Sequence, residues 1–203
     1  MYHVTHTFHH HLLEVSMVPI ISLWLPILVS AVFVFIASFL IHTVLRYHYT
    51  DMKKLPNEDA IADTFRKLNI PAGLYNMPHA DNMKEMRTPE FREKMMKGPM
   101  GLINVWAGGP PSMMTPLVQW FVLLLVVGIL AAYVAGRALG PGAEFRSVLR
   151  FAGVMAFACH TVAGYSESIW FRRPWSVSVK NTIDGLVYGL LTGLAFGWLW
   201  PSM

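Results

Sequence analysis

Charge is scarce in this chain of 203 residues. Asp, Glu, Lys and Arg make up 14% of it, against 54% hydrophobic residues, where a soluble domain carries about 25% charged residues. With a mean hydropathy of +0.43, that shortage excludes an ordinary soluble domain and predicts a bilayer-embedded helical bundle. Cysteine is reduced to Cys159, which excludes an intramolecular disulfide and a cysteine pair for haem attachment and leaves the redox compartment unread. Phosphate-binding glycine loops, a nucleophile elbow and a zinc-protease helix are missing as well, so none of the common catalytic signatures is present. Lysine and arginine are absent before Arg46 and after Lys180. The start therefore lacks the basic region of a secretory signal.

Long apolar runs are what the chain does have. A membrane-spanning helix needs about 20 mainly apolar residues, and four stretches fit: Pro19 to Val44, Leu117 to Ala138, Val148 to Ile169 and Val179 to Trp200. The expected fold is an all-α membrane protein of four transmembrane helices, with a small α(+β) domain between the first and second. The segments are a His-rich leader at 1–16, helix one at 17–46, a loop domain at 47–114 and helices two to four in 115–203. Trp24, Trp120, Trp170, Trp175, Trp198 and Trp200 bracket the spans as interface anchors.

The leader holds His3, His6, His9, His10 and His11. Leu13-Glu14-Val15-Ser16 before Met17 is encodable by DNA containing a ribosome-binding sequence, so Met17 is the expected start of translation. A loose histidine tract has no fixed ligand geometry, and no metal site is expected there.

Orientation follows from the basic residues near the span ends. Those flanking the first loop (Arg46, Lys53, Lys54, Lys94, Lys97) and the third (Arg172, Arg173, Lys180) outnumber those of the second (Arg137, Arg146, Arg150). The first and third loops are therefore expected in the cytoplasm and both termini on the other side. The formal net charge of +4 sits where lipid headgroups and orientation explain it, so nucleic acid is not an expected partner. Within the loop domain, Asn57 is placed to cap a helix from Glu58 that Asn69 and Pro71 stop. Thr88 caps a second helix over Pro89 to Lys97, and Leu102 to Trp106 reads as one short strand.

Glycine is concentrated on one helix face. Gly185, Gly189, Gly193 and Gly197 recur at every fourth position of the last span, and Gly128, Ala132 and Gly136 repeat the theme in the second. Such stripes let helix backbones approach closely in lipid. In the third span Ala152, Ala156, His160 and Gly164 share a face with Glu167, which turns His160 inward. An intramembrane histidine is a candidate proton carrier, haem ligand or metal ligand; the plainer reading is a neutral imidazole bonded to a neighbouring hydroxyl or carbonyl. Lys180, Asp184, Tyr188 and Thr192 form a polar stripe beside the glycines, with Lys180 and Asp184 spaced to pair. Glu167, Arg172, Arg173, Lys180 and Asp184 should cluster at the cytoplasmic end near His42, as an interfacial salt-bridge network or an anion-binding patch.

Met17-Val-Pro-Ile-Ile-Ser-Leu-Trp-Leu-Pro26, Leu55-Pro-Asn-Glu-Asp-Ala60, Gly98-Pro99 and Lys180-Asn-Thr-Ile-Asp-Gly185 resemble a family of uncharacterised bacterial four-helix integral membrane proteins of about this length. The likeness implies an inner-membrane location and four spans, and brings no catalytic residues. The function expected is non-enzymatic: a structural or accessory subunit of a larger membrane complex, or a self-associating bundle packed through its glycine faces. Lipid and other membrane subunits or a second copy are the expected partners, and no cofactor is expected. Two alternatives are a small redox or haem-binding protein using His160, with His42 as a second ligand whose depth disfavours the pair, and a transporter or lipid-binding protein.

Overall fold

The structure, a computed structural model, describes residues 17–110 and 112–202. The His-rich stretch 1–16, and with it the question of the start at Met17, lies outside the described residues. The chain divides into two compact units: the described residues up to Tyr49 together with those from Met114 onward, and Thr50–Met113.

The first unit is four helices. Three of them, α1 (Ile20–Leu45), α5 (Met114–Ala138) and α6 (Phe145–Trp170), are long and apolar enough to cross a membrane. The fourth, α7 (Trp175–Trp198), has 24 residues and spans about 36 Å at 1.5 Å per residue. Its length therefore suffices, but glycines, Lys180, Asn181 and Asp184 dilute its apolar character. Local chemistry sets the ends. Pro116 sits in the first turn of α5, where its missing N–H is not needed. Pro174 precedes α7 as its N-cap residue. Arg46 adopts a left-handed backbone (φ 55) that ends α1 after a π-helical last turn, Leu40–Leu45.

Consecutive helices pack antiparallel, and α7 closes the ring against α1. The Val18 amide donates to the Gly136 carbonyl (3.0 Å) at one end, and the Trp120 indole donates to Ser38 Oγ (2.9 Å) toward the other. Trp200 Nε1 donates to the Gly140 carbonyl (2.9 Å), and the Gly142 amide to the Pro201 carbonyl (2.8 Å). Val18 thus meets the last turn of α5, and the Trp200–Pro201 segment the α5–α6 turn that follows it. Phe196, Leu23, Val148, Ala131, Ala132, Ala135 and Ala152, all fully buried, form the core at that end.

The glycine stripe lies along α6. A Cβ at Gly189 would sit 2.8 Å from the Gly153 carbonyl oxygen, one at Gly193 2.7 Å from the Leu149 carbonyl, and one at Gly197 2.6 Å from the Phe145 ring; Gly185 faces Thr161 and His160. Gly128 packs on Ile27 and Gly136 on the Val18 backbone, with Ala132 fully buried between them. The expectation that the glycine face of the last helix receives another subunit is corrected here: the chain's own α6 occupies it, because Gly153 supplies a matching bare position at the crossing.

The second unit contains α2 (Glu58–Lys67), β1 (Gly73–Met77), α3 (Met83–Met86), α4 (Pro89–Lys97) and β2 (Gly101–Val105). Thr88 caps α4 as its spacing predicts, Oγ1 accepting from the Phe91 amide (3.2 Å). Asn57 does not cap α2 with its side chain; it takes a left-handed backbone instead (φ 49). The single expected strand is a pair: β2 runs antiparallel to β1 in the register Gly73↔Val105 to Met77↔Gly101. Pro71, Gly73 and Pro78 around β1 read as turn residues and hide the strand they bound.

Candidate functional site

The polar groups of the helical unit gather where α1 ends and α7 begins. The left-handed Arg46 folds Tyr47 and His48 back from the end of α1, and the fourfold spacing on α7 turns Asp184, Tyr188 and Thr192 inward, each buried. Asp184 is 5% exposed. Its carboxylate accepts on Oδ1 from the Tyr47 hydroxyl and pairs through Oδ2 with His48 Nε2 at 2.8 Å. His42 Nδ1 lies 2.9 Å from the Ser38 carbonyl. A carbonyl only accepts, so this nitrogen carries the ring proton and Nε2 keeps its lone pair. The His42 and His48 rings stack, with centroids 4.7 Å apart and planes 1° from parallel. Lys180 Nζ donates to the Tyr47 carbonyl at 2.7 Å. One ligand atom each from His42, His48 and Asp184 falls within 4.8 Å of the others.

A second layer lies toward the bundle interior. Ser38 Oγ donates to the Phe35 carbonyl (2.8 Å) while accepting from Trp120. The His160 ring packs edge-on to Tyr188 (5.1 Å) and lies 6.0 Å from Trp120. Between α6 and α7, Tyr165 bonds Thr182 and Ser168 bonds Ser178, both at 2.7 Å.

Of the residues singled out in the sequence, His42, Asp184 and Lys180 come together. The pairing of Lys180 with Asp184 is corrected: the carboxylate's partners are Tyr47 and His48, and the ammonium reaches the Tyr47 carbonyl. Arg172 and Arg173 are exposed in the α6–α7 turn and Glu167 is exposed on α6, so none of them joins Asp184. Arg172 takes a left-handed backbone (φ 55) within that four-residue turn. His160 packs with Trp120 and Tyr188, while His42 faces His48. Tyr47 and His48 complete the cluster and are not among the residues singled out in the sequence. Their signal is the Arg46-Tyr47-His48-Tyr49 run directly after the last apolar residue of the span.

An open groove of about 410 Å³ along α1 and α7 is lined by apolar side chains, among them Phe33, Leu40, Leu194 and Trp198. Polar chemistry therefore concentrates in the His42–His48–Asp184 cluster. No family model, curated protein or solved structure matches the chain. What fold and site define is a class: a helical protein with three helices long and apolar enough to cross a membrane and an imidazole–carboxylate cluster where α1 meets α7.

Proposed function

We propose that the chain is a four-span integral membrane protein of the bacterial inner membrane that acts as a non-enzymatic accessory or structural subunit. The observation carrying this reading is the glycine seam. Glycine at an interior helix position disfavours the isolated helix by roughly 1 kcal/mol relative to alanine, yet α7 keeps four of them where α6 approaches. Close backbone contact yields a rigid scaffold, since van der Waals packing rather than the hydrophobic effect holds helices together in lipid. The antiparallel ring supports four crossings, and the resemblance carried by Met17–Pro26 and Lys180–Gly185 agrees with it. With the seam occupied internally, partner subunits meet the outer faces of α1, α5 and α7.

Native mass spectrometry of the full chain released from its own membranes in mild detergent, with crosslinking before extraction, tests this reading. A defined assembly of fixed stoichiometry is expected. A monomer in both measurements contradicts the accessory role.

A further inference from the structure

We propose that His42, His48 and Asp184 bind one divalent transition-metal ion of the zinc type where α1 meets α7. This inference goes beyond the accessory role and does not rest on it. Two imidazoles and a carboxylate are the donor set that zinc and its neighbours take in three-ligand sites. His42 and His48 come from the end of α1 and Asp184 from within α7, 136 residues from His48 in sequence, so it is the fold that assembles them.

Two of the three ligands, Asp184 and His42, are oriented from behind. The Tyr47 hydroxyl binds Oδ1 of Asp184 and leaves Oδ2 toward His48. The Ser38 carbonyl holds the Nδ1 proton of His42, leaving Nε2 as the donor atom. Carbonyls and hydroxyls in these positions fix the tautomer and ring direction of metal-bound histidines. Asp184 is buried, and its neighbours His42 and His48 are the groups a cation would engage. A divalent ion balances the carboxylate charge in a place where water cannot.

His48 Nε2 and Asp184 Oδ2 are 2.8 Å apart and all three ligand atoms lie within 4.8 Å of one another, on either side of the roughly 3.3 Å between ligands about 2.0 Å from a tetrahedral zinc. Binding parts the His48–Asp184 pair slightly and brings His42 toward it. His42 is exposed on the last turn of α1, so its ring has room for a small shift that keeps the Ser38 hydrogen bond. His48 presents its Nε2 lone pair to the metal, and the proton it shares with Asp184 passes to Nδ1. Three protein ligands leave the fourth position to water, so the ion is exchangeable.

The test uses full-length protein with His3, His6, His9, His10 and His11 replaced by Gln, which removes metal capture by the leader. Co2+ is titrated in detergent and followed by calorimetry and by its visible ligand-field absorption. One ion per chain is expected, with an intense four-coordinate spectrum displaced by Zn2+. His48→Ala and His42→Ala should each weaken binding by about tenfold or more, the range for disturbing a metal site. His42 is exposed, so His42→Ala should keep the parent's thermal melt even if His48→Ala does not fold. Absence of saturable binding, or unchanged Co2+ affinity in His42→Ala, overturns the proposal.

Discussion

Tyr188 and Asp184 stand one helical turn apart on α7, both buried, and differ in how their oxygens are satisfied. The Tyr188 hydroxyl has no hydrogen-bond partner among the described residues, while its ring packs against His160 and Trp120. An unsatisfied buried hydroxyl costs about 1–3 kcal/mol, and removing it with the ring retained removes that cost. Tyr188→Phe is therefore expected to melt at or above the wild-type temperature in detergent; a clear drop would show that the hydroxyl is bonded. Asp184 is the opposite case. An Asn there turns an amide N–H2 toward one of two donors, Tyr47 or His48, and loses the charge both are arranged around. Asp184→Asn is expected to be less stable by about 1–3 kcal/mol, read as a lower melting temperature, and a mutant melting with the wild type contradicts the geometry. Asp184, His42 and Lys180 were legible in the sequence from their place at span ends. The partners of Asp184 were not, because Tyr47 and His48 lie 137 and 136 residues away, and which way Arg46 turns the chain is not encoded by spacing.

At the scale of helices, the bare positions on α7 and α6 serve one crossing, Gly128 and Gly136 give α5 a similar close approach to Ile27 and Val18, and Gly164 has no such duty. A methyl group on Gly189 would come within 2.8 Å of the Gly153 carbonyl, whereas one on Gly164 meets nothing within 4 Å. Gly164 has ordinary helical angles (φ −64, ψ −22), so alanine fits there. Gly189→Ala should destabilise by roughly 1–3 kcal/mol, the usual range for overpacking. Gly164→Ala should be neutral or raise stability by up to about 1 kcal/mol through a stiffer unfolded chain. Melting both variants beside the wild type checks the pair, and equal melting of the two mutants contradicts the seam. The stripe itself was legible from its fourfold spacing. Its neighbour was not, since Gly153 is an isolated glycine among alanines on α6. β1 shows the same limit in the second unit: a strand bounded by Pro71 and Pro78 is recognised only once β2 pairs with it.

For the whole molecule, the apolar runs made three crossing segments legible with ends within a few residues of those found. Composition is a weaker guide to α7, whose glycines and polar stripe serve packing and the imidazole–carboxylate cluster at the expense of mean hydropathy. Its place in the ring is what four antiparallel passes would give: Val18 bonds the end of α5 and Pro201 the turn that follows it. The proposed function has α7 crossing the membrane and the His42–His48–Asp184 cluster on the cytoplasmic side. The direct measurement is a pair of topology reporters in cells, alkaline phosphatase fused to the C-terminus and a fluorescent protein inserted between Gly108 and Gly109. The account predicts an active phosphatase outside and a fluorescent loop inside; an inactive phosphatase on a chain whose loop fluoresces would mean three crossings and contradict it.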